Sequence, residues 1–438
     1  MGMERRDTVI QVLSICKQPL NNGMMHEEKT KSFAVSKQMV YDSYLKVCDK
    51  NGGAGIDKET IDKFNEDLSG NLYKVWNRMA SGSYFPPAVR TVLIPKKQGG
   101  TRPLGIPTVG DRIAQGVVKD YLEPVLEPLF HESSFGYRPG RSAHDSLAQC
   151  NGNCIQHAWV VDLDIKGFFD NISHEWMMKM VQHHTQEKWV LLYIERWLKA
   201  GIQQADGSIA ARTKGTPQGG VISPLLANLY LHHAFDMWMR RHFAGNPFER
   251  YADDIIVHCD SKAEAEHLLE SIRERLAGFE LELHPEKTKL VYCKCWKRKE
   301  KHEHNSFTFL SYSFQPRAKM NTFGRRDKFT VFNAAICCKA KAFIREKIRG
   351  VFNPRNTQVS LEEVAKKLNP KIRGWLNYYC RFNPGIAGKV FLYLNGLIRR
   401  WIEEKFRLKS KKDIMVKYQS IVQSDSGLFV HWQKGVKS

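Results

Sequence analysis

The stretch FERYADDIIVHCD, residues 248–260, reads as two short strands meeting at a tight turn. Apolar and β-branched residues follow the turn at Ile255, Ile256 and Val257, and two adjacent carboxylates, Asp253 and Asp254, sit where the strands meet. Like charges side by side repel, and beside a packed sheet they also lose water. Aspartate is common in turns, so a solvated hairpin would account for the pair by itself. The rest of the chain decides between that reading and a functional one.

Working outward, AWVVDLDIKGFFDNI at 158–172 has the pattern of a buried strand ending in acids. Its Asp164 is a candidate neighbour of the Asp253 turn in one sheet. Three carboxylates on one sheet edge are unfavourable alone, but divalent cations reverse the sign of the argument. Mg²⁺ prefers oxygen ligands and keeps positions open for water and phosphate. Two such ions about 3.5–4 Å apart stabilise both the attacking and the leaving oxygen of a phosphoryl displacement. Asp162 would share a strand face with Asp164, and Asp170 flanks the same segment.

The remaining pattern is mixed α/β. Residues 1–35 are a polar extension, and a helical reading from Ser36 to about Ala80 is interrupted by the glycine-rich turn NGGAGID. Val89, Val92 and Ile94 suggest strands, with KKQGGTR as a hairpin tip. An amphipathic helix follows at 111–130, then a basic turn at 137–141. Helix continues to about Ala200. KGTPQGGVISPLLANLYLHHAF, 214–235, is a Gly/Pro turn feeding an apolar helix. GFELELHPEKTKLVYCK reads strand-turn-strand, and FTFLSYSF, 307–314, alternates like a strand. After Pro316 the chain is basic, helical and poor in strand signals. The expected division is an extension at 1–35, a first domain at 36–315, a linker at 316–345 and a helical domain at 346–438.

Lys and Arg total 67 against 46 Asp and Glu, a formal net charge of +21 over 438 residues. That balance favours a polyanionic partner, nucleic acid first. No apolar run is long enough to span a membrane, the N-terminus lacks a secretory apolar region, and Arg6 breaks the myristoylation pattern. Ten cysteines suit a reducing compartment rather than a disulfide framework. Cys293, Cys295, His302 and His304 form C-x-C followed by H-x-H. That spacing is tighter than usual zinc-site spacing, and a solvated basic loop is the reading preferred over zinc.

YADD between strands, DIKGFFD after a strand and GTPQGG before a helix together resemble the palm of a reverse transcriptase. With NGGAGID, RPLGIPT, FGYRPGRSAHD, LHPEKTK and GWLNYY, the chain from about Ser36 resembles the group II intron-encoded reverse transcriptases, or maturases. The resemblance implies a right-hand polymerase, with α/β fingers and an antiparallel palm sheet before an α-helical thumb. It implies Asp164, Asp253 and the Ile165 carbonyl as ligands of two Mg²⁺ ions, replaceable by Mn²⁺, with Asp254 completing the acidic cluster. Phe169 is implied as the aromatic gate that rejects a ribose 2′-OH, with Phe168 in the core. Gln218 is implied beside the nascent base pair, where glycines allow close backbone approach. Arg90, Lys96 and Arg102 are implied on the dNTP triphosphate, where Arg offers paired contacts and Lys a point charge. Lys287 is implied as proton donor to pyrophosphate. By the same resemblance Asp162 and Asp170 flank the site in a structural or supporting role, because the family motif places the ligand at Asp164. Ser311 stands where the family commonly has Gly in the primer grip.

The C-terminal region adds Arg373 and Arg381 in LNPKIRGWLNYYCRF, then Arg399, Arg400, Lys405 and Arg407 in the next basic helix, as candidate RNA contacts. Trp375 and Tyr379, at helical spacing, are expected in the core. The resemblance implies as partners group II intron RNA, an RNA template with a DNA or RNA primer, dNTPs and target DNA, with no membrane. It also implies a bacterial cytoplasmic location, at the nucleoid during retrotransposition. The sequence stops after LFVHWQKGVKS, so an H-N-H endonuclease is not expected, and a primer already present, such as a nascent strand at a replication fork, would be used. The alternatives are a host-domesticated reverse transcriptase for defence or repair, and an RNA-binding splicing cofactor without polymerase activity.

Overall fold

The computed structural model describes residues 32–95, 101–204, 206–320 and 328–437. Most of the expected N-terminal extension and the hairpin tip at 96–100 lie outside the described residues. In chain order the strands are β1 Val89–Pro95, β2 Thr101–Ile106, β3 Trp159–Asp164, β4 Ile202–Gln203, β5 Ile209–Ala210, β6 Phe248–Tyr251, β7 Asp254–Cys259, β8 Lys289–Tyr292, β9 Phe307–Phe309, β10 Tyr312–Met320 and β11 Lys328–Ile336. The chain divides into two units. The first is Met1–Ile94, Thr101–Phe130 and Gly167–His233; the second is Pro95–Gly100, His131–Lys166 and Ala234–Ser438.

In the first unit, strands run in the order β2-β1-β4-β5, with β1 parallel to β4. The helix Val109–Leu126 begins at Thr108, whose hydroxyl accepts from the Asp111 amide at 3.1 Å. The buried Asp111 carboxylate takes Tyr84 Oη at 2.9 Å, Trp197 Nε1 at 2.7 Å and Gln115 Nε2 at 3.0 Å. Gln115 Oε1 in turn accepts the Val221 amide at 2.8 Å. One buried acid thereby ties a helix to the loop that carries PQGG. Burial pushes Asp111 up to about 6. The long helix expected before Ala200 is two helices, His174–His184 and Lys188–Lys199, with Thr185 and Glu187 extended between them.

In the second unit the order β6-β7-β3-β8 is antiparallel throughout. Val160, Val161 and Val257 are fully buried, as the β-branched run around the quoted turn requires. A second sheet, β11-β10-β9, is also antiparallel. FTFLSYSF is therefore two strands rather than one. They pair Phe309 with Tyr312, and Leu310 and Ser311 form the turn at φ 49° and 67°. Positive φ at both positions is the type I′ form of a two-residue hairpin loop, whose twist matches that of the strands.

Residues 316–345, expected as a linker, carry most of the β10–β11 hairpin and the start of the helix Cys338–Val351. The basic residues of this stretch hide an apolar run, Phe332, Ala334, Ala335 and Ile336, that is buried. The hydrophobic core runs without a break from Leu147 and Val160 through Phe314 and Phe332 to Leu368, Trp401 and Trp432. These elements, an antiparallel sheet within a mixed α/β chain and a helical C-terminal region, are those of a right-hand polymerase palm followed by a thumb. Among the described residues no helix is long and apolar enough to cross a membrane.

Candidate active site

Pairing of β3 with β7 sets Asp164 directly opposite Asp254, and pairing of β6 with β7 sets Tyr251 opposite Asp254. Ala252 and Asp253 are the turn, with Ala252 at φ 59°. The turn is held from behind. Arg250, fully buried, donates Nε to Asp236 Oδ1 at 2.7 Å, Nη2 to Asp236 Oδ2 at 2.5 Å, and Nη1 to the Ala252 carbonyl at 3.2 Å. The Phe135 amide donates to the Arg250 carbonyl at 2.8 Å, and the Arg250 amide to Ser133 at 2.9 Å. A Cβ at Gly136 would lie 2.4 Å from the Ala252 nitrogen, so FGYRPG supplies the one residue that lets the backbones meet.

Beyond Asp164 the chain leaves the sheet. The Asp164 carbonyl accepts the His284 amide at 2.7 Å, and Ile165 forms an isolated bridge with Leu283. Lys287 Nζ stands 3.4 Å from Asp164 Oδ1, with both side chains partly in solvent. Asp162, Asp164, Asp254, Lys287 and Lys289 line a cavity of about 640 Å³ that reaches Ser311 and Tyr379.

Desolvation, then Asp253 and Asp164, push Asp254 up to about 7. Its carboxyl touches solvent through the open cavity, yet enough protein surrounds it to penalise ionisation. Desolvation, then Asp254 and Asp164, also raise Asp162 to about 7, against the pull of Lys289. Asp162 therefore lies in the cavity with the others, although the family motif had set it aside. Among the described residues the side-chain oxygens of Asp164, Asp253 and Asp254 are not gathered into a single group of mutually close ligand atoms. The donor set still fits hard divalent cations. It offers oxygen atoms, and its carboxylates stand in a mutual repulsion that a cation relieves.

The group that does have metal-ligand proximity is Cys150, Glu249 and His258, all buried. It reads better as a closed ion pair. His258 Nε2 lies 2.7 Å from Glu249 Oε2, and Asn153 Nδ2 donates to Glu249 Oε1 at 2.6 Å. Burial alone would lower His258, but Glu249, with Cys154, outweighs it and the imidazole is pushed up to about 10. The Cys293, Cys295, His302 and His304 set forms no such group among the described residues. Cys293 is buried, and the His302 ring packs on Trp159 and Tyr292 at 4.6 and 4.5 Å.

In the first unit, Phe168 and Phe169 are both buried, edge to face at 5.4 Å, and Phe168 also meets Tyr230. The Thr216 amide donates to the Phe169 carbonyl at 2.8 Å, and Gly215, at φ 82°, lies so close that a Cβ there would meet that carbonyl at 2.8 Å. The GTPQGG loop thus lies against the Phe169 turn. The Gln218 carbonyl accepts the Gly105 amide at 2.7 Å, joining PQGG to RPLGIP. Gln218 and Gly215 line a cavity of about 180 Å³ with Asp170, Arg212 and Lys214. Sequence reasoning passed over Arg212. Burial lowers it to about 10 despite Asp170, and its Nη1 has no hydrogen-bond partner. Arg90 on β1 likewise has an unpartnered Nε. Lys96 and the Arg102 side chain lie outside the described residues.

In the C-terminal helices Arg373, Arg381, Arg400, Lys405 and Arg407 are exposed and Arg399 is half-buried. Lys405 lies over the Trp401 ring at 4.6 Å, and Arg399 over Tyr418 at 5.8 Å. Tyr379 is buried and Trp375 partly so, both against the core. Tyr378 Oη donates to the Leu310 carbonyl at 2.9 Å, fastening its helix to the β9–β10 turn.

Residues 94–314 match the reverse transcriptase (RNA-dependent DNA polymerase) family, and residues 341–419 match the group II intron maturase-specific domain. Protein YkfC of Escherichia coli K12 is 31% identical over 297 residues, covering 59% of this chain and 74% of that protein. Group II intron-encoded protein LtrA of Lactococcus lactis subsp. cremoris is 36% identical over 203 residues, covering 46% of this chain but only 33% of LtrA. The matched part is thus about a third of LtrA's length. An uncharacterized 91 kDa protein in the cob intron of Schizosaccharomyces pombe is 33% identical over 205 residues, 46% of this chain and 25% of that protein. A solved structure of telomerase from Candida albicans with a telomeric RNA fragment covers 86% of this chain and 68% of its own at 12% identity, a loose overlap with a TM-score of 0.43.

Proposed function

The chain belongs to the reverse transcriptases, in the group II intron-encoded branch that carries a maturase domain, and we propose that it is an RNA-directed DNA polymerase that also binds intron RNA to assist splicing and mobility. The observation that carries this reading is Asp164 opposite Asp254 across β3 and β7, beside the Asp253 turn. Asp164, Asp253 and the Ile165 carbonyl would hold two Mg²⁺ ions, with Asp254 beside them. When bound, such ions neutralise charge that develops in the phosphoryl displacement.

The chain's own groups do the rest. Lys287, whose ammonium is 3.4 Å from Asp164, would give a proton to departing pyrophosphate as the primer 3′-OH bonds to the α-phosphate of a dNTP. Phe169 closes the space beneath the sugar, and a rigid ring there clashes with a ribose 2′-OH. Gln218 and the glycines beside it let the nascent base pair approach the backbone. Arg90, with Lys96 and Arg102, would hold the triphosphate. Arg373, Arg381, Arg399, Arg400, Lys405 and Arg407 would meet intron RNA, and target DNA would enter as the reverse-splicing substrate. The proposed setting is the bacterial cytoplasm.

The test is dTTP incorporation on poly(rA) primed with oligo(dT). The expected result is synthesis that requires Mg²⁺ or Mn²⁺ and is lost in Asp253→Asn. Unchanged synthesis by that variant would overturn the assignment.

A further inference from the structure

In the second unit, a tight turn sits at the opposite end of the palm sheet from the carboxylates. β3 pairs Trp159 with Tyr292 at that end and ends in Asp164 at the other, five residues away, or about 16 Å of strand. Beyond Tyr292 the Cys295 amide donates to the Arg298 carbonyl at 3.0 Å and the Arg298 amide returns to Cys295 at 3.1 Å. Trp296 and Lys297 are the two residues at its tip. Trp296 is 54% exposed.

This turn is fixed rather than loose. Arg298 donates Nη2 to the Cys154 carbonyl at 2.9 Å and the Ile155 carbonyl at 3.2 Å, Nη1 to the His157 carbonyl, and Nε to Cys295 Sγ at 3.3 Å. Those carbonyls close the helix Ala143–Gln156, so one guanidinium caps a helix and anchors the turn. On the other side the Trp296 amide donates to the Thr330 carbonyl of β11 at 2.9 Å. The neighbouring Phe329 is 36% exposed, and Met320 at the end of β10 is 52% exposed.

The surroundings are basic. Lys294, Lys297, Lys299 and Lys301 lie in the turn or the segment around it, and Lys319 and Lys328 lie on the adjoining strands β10 and β11. None of the six is in an ion pair among the described residues. The Lys297 ammonium lies over the Trp296 ring at 5.0 Å. The two nearby acids, Glu300 and Glu303, are next to His302 and His304 instead.

A large indole held out in solvent by a half-buried, hydrogen-bonded arginine, among ammonium groups outside ion pairs, has the chemistry of a base-stacking platform beside phosphate contacts. We propose that this turn binds single-stranded RNA, with one base on Trp296 and the backbone along the lysines, at a site separate from the polymerase cavity. The proposal rests on the reading of the chain as an RNA-binding polymerase. An RNA loop is the favoured occupant because its unpaired bases are free to stack on an aromatic ring.

The test uses the full chain and a labelled 12-nucleotide RNA carrying 4-thiouridine. A short blunt RNA–DNA hybrid is added to saturation, to fill the polymerase site without offering single strands. Irradiation should give an adduct on the peptide containing Trp296. Trp296→Ala should weaken the 12-mer at least about five-fold, the low end for one stacked base. Trp296→Phe should retain most of the affinity, and primer extension should be unchanged in both. Lys297→Glu with Lys299→Glu should lower the slope of log affinity against log salt. Equal affinity of Trp296→Ala and wild type, or adducts confined to other peptides, would overturn the proposal. So would a DNA 12-mer that depends equally on Trp296, or a change in sedimentation of the free protein without a change in RNA affinity, which would mark a protein interface. Failure of the wild type to extend any primer would instead remove the polymerase reading, a separate result.

Discussion

Arg250 spans the gap between Asp236 and the Ala252 carbonyl, so the residue that neutralises a buried acid also sets the left-handed corner before Asp253 and Asp254. Both ionic side chains are fully buried. Breaking such a pair leaves an unpaired charge in a medium that cannot solvate it. Asp236→Ala should therefore cost about 3–5 kcal/mol of stability, measured by denaturant unfolding. The paired replacement Asp236→Leu with Arg250→Met should recover much of that stability yet leave polymerisation impaired, because nothing then holds Ala252. A paired variant with wild-type polymerase activity would show that the corner needs no such anchor.

Gly136 makes a related claim on the same corner. A methyl group there would overlap the Ala252 nitrogen, which is backbone and cannot swing aside. Gly136→Ala should lower activity by shifting Asp253, with little change in RNA affinity. Equal losses of affinity and turnover would point to general unfolding instead.

Much of this was legible in the sequence. The alternation around YADD and the acid-terminated AWVVDLD run gave the sheet, and the family was legible only as a resemblance carried by the motifs. The supports were not legible. Asp236 reads as an ordinary helix polar residue, and nothing local says that Arg250 will reach it. Leu310 and Ser311 were hidden because FTFLSYSF keeps a two-residue period across its own turn, so alternation could not mark the break. The hairpin after Pro316 was missed because flanking charge masked its apolar face. Arg212 and the Trp296 turn were missed for a simpler reason: burial and anchoring are tertiary facts.

Ser311 sits at φ 67° where glycine would be unstrained. Left-handed backbone costs a non-glycine residue about 1–2 kcal/mol. Against that, the Ser311 side chain hydrogen-bonds the Tyr379 hydroxyl, which substitution forfeits. Ser311→Gly should gain up to about 1 kcal/mol, since a net hydrogen bond is worth about 1. A lower melting temperature would mean that the hydroxyl contact outweighs the strain.

The His258–Glu249 pair predicts an alkaline limb. His258 is raised from an ordinary 6.5 to about 10 in the folded chain, through Glu249 and Cys154 against the opposing effect of burial. Between those values the folded state holds a proton that the unfolded state has released. The contribution is complete below about pH 6.5 and is lost as pH rises toward 10. Stability should fall by up to about 1.4 kcal/mol per pH unit in that window. Melting curves from pH 6 to 9 should show this, and His258→Gln should flatten the limb. The same slope in that variant would assign the effect elsewhere.

Sugar choice should follow Phe169 and not Phe168. With Phe169 as the proposed gate, Phe169→Val should open space beneath the sugar and raise incorporation of rNTP relative to dNTP about ten-fold or more, a difference near 1.4 kcal/mol in transition-state binding. Phe168 is buried against Tyr230, so Phe168→Ala should lower stability and leave the ratio in place. A ratio that moves only with Phe168 would exchange the two roles.

Polymerisation and RNA binding should separate, because they ask different things of the chain. Polymerisation needs the acid-lined cavity of the palm. Binding intron RNA is proposed to use positive charge on the helical C-terminal surface, where Arg400, Lys405 and Arg407 are exposed. Asp253→Asn with Asp254→Asn removes negative charge from a site already crowded with it, so folding should be preserved or improved while cDNA synthesis is abolished. Attraction to RNA phosphate should be undiminished, since no cation is lost. Reversing Arg400, Lys405 and Arg407 to Glu should do the opposite. Each lost phosphate contact reduces counterion release, so the salt dependence of intron binding should become shallower by about 0.7–0.9 log units per contact. Extension of a short primer should suffer less. The paired assays are splicing of the flanking intron at near-physiological salt and extension of oligo(dT) on poly(rA), with each variant checked for folding. An aspartate variant that folds normally yet loses both activities equally would show that the cavity is itself the principal RNA anchor. A wild type that extends primers but never stimulates splicing would leave the polymerase standing and remove the maturase role.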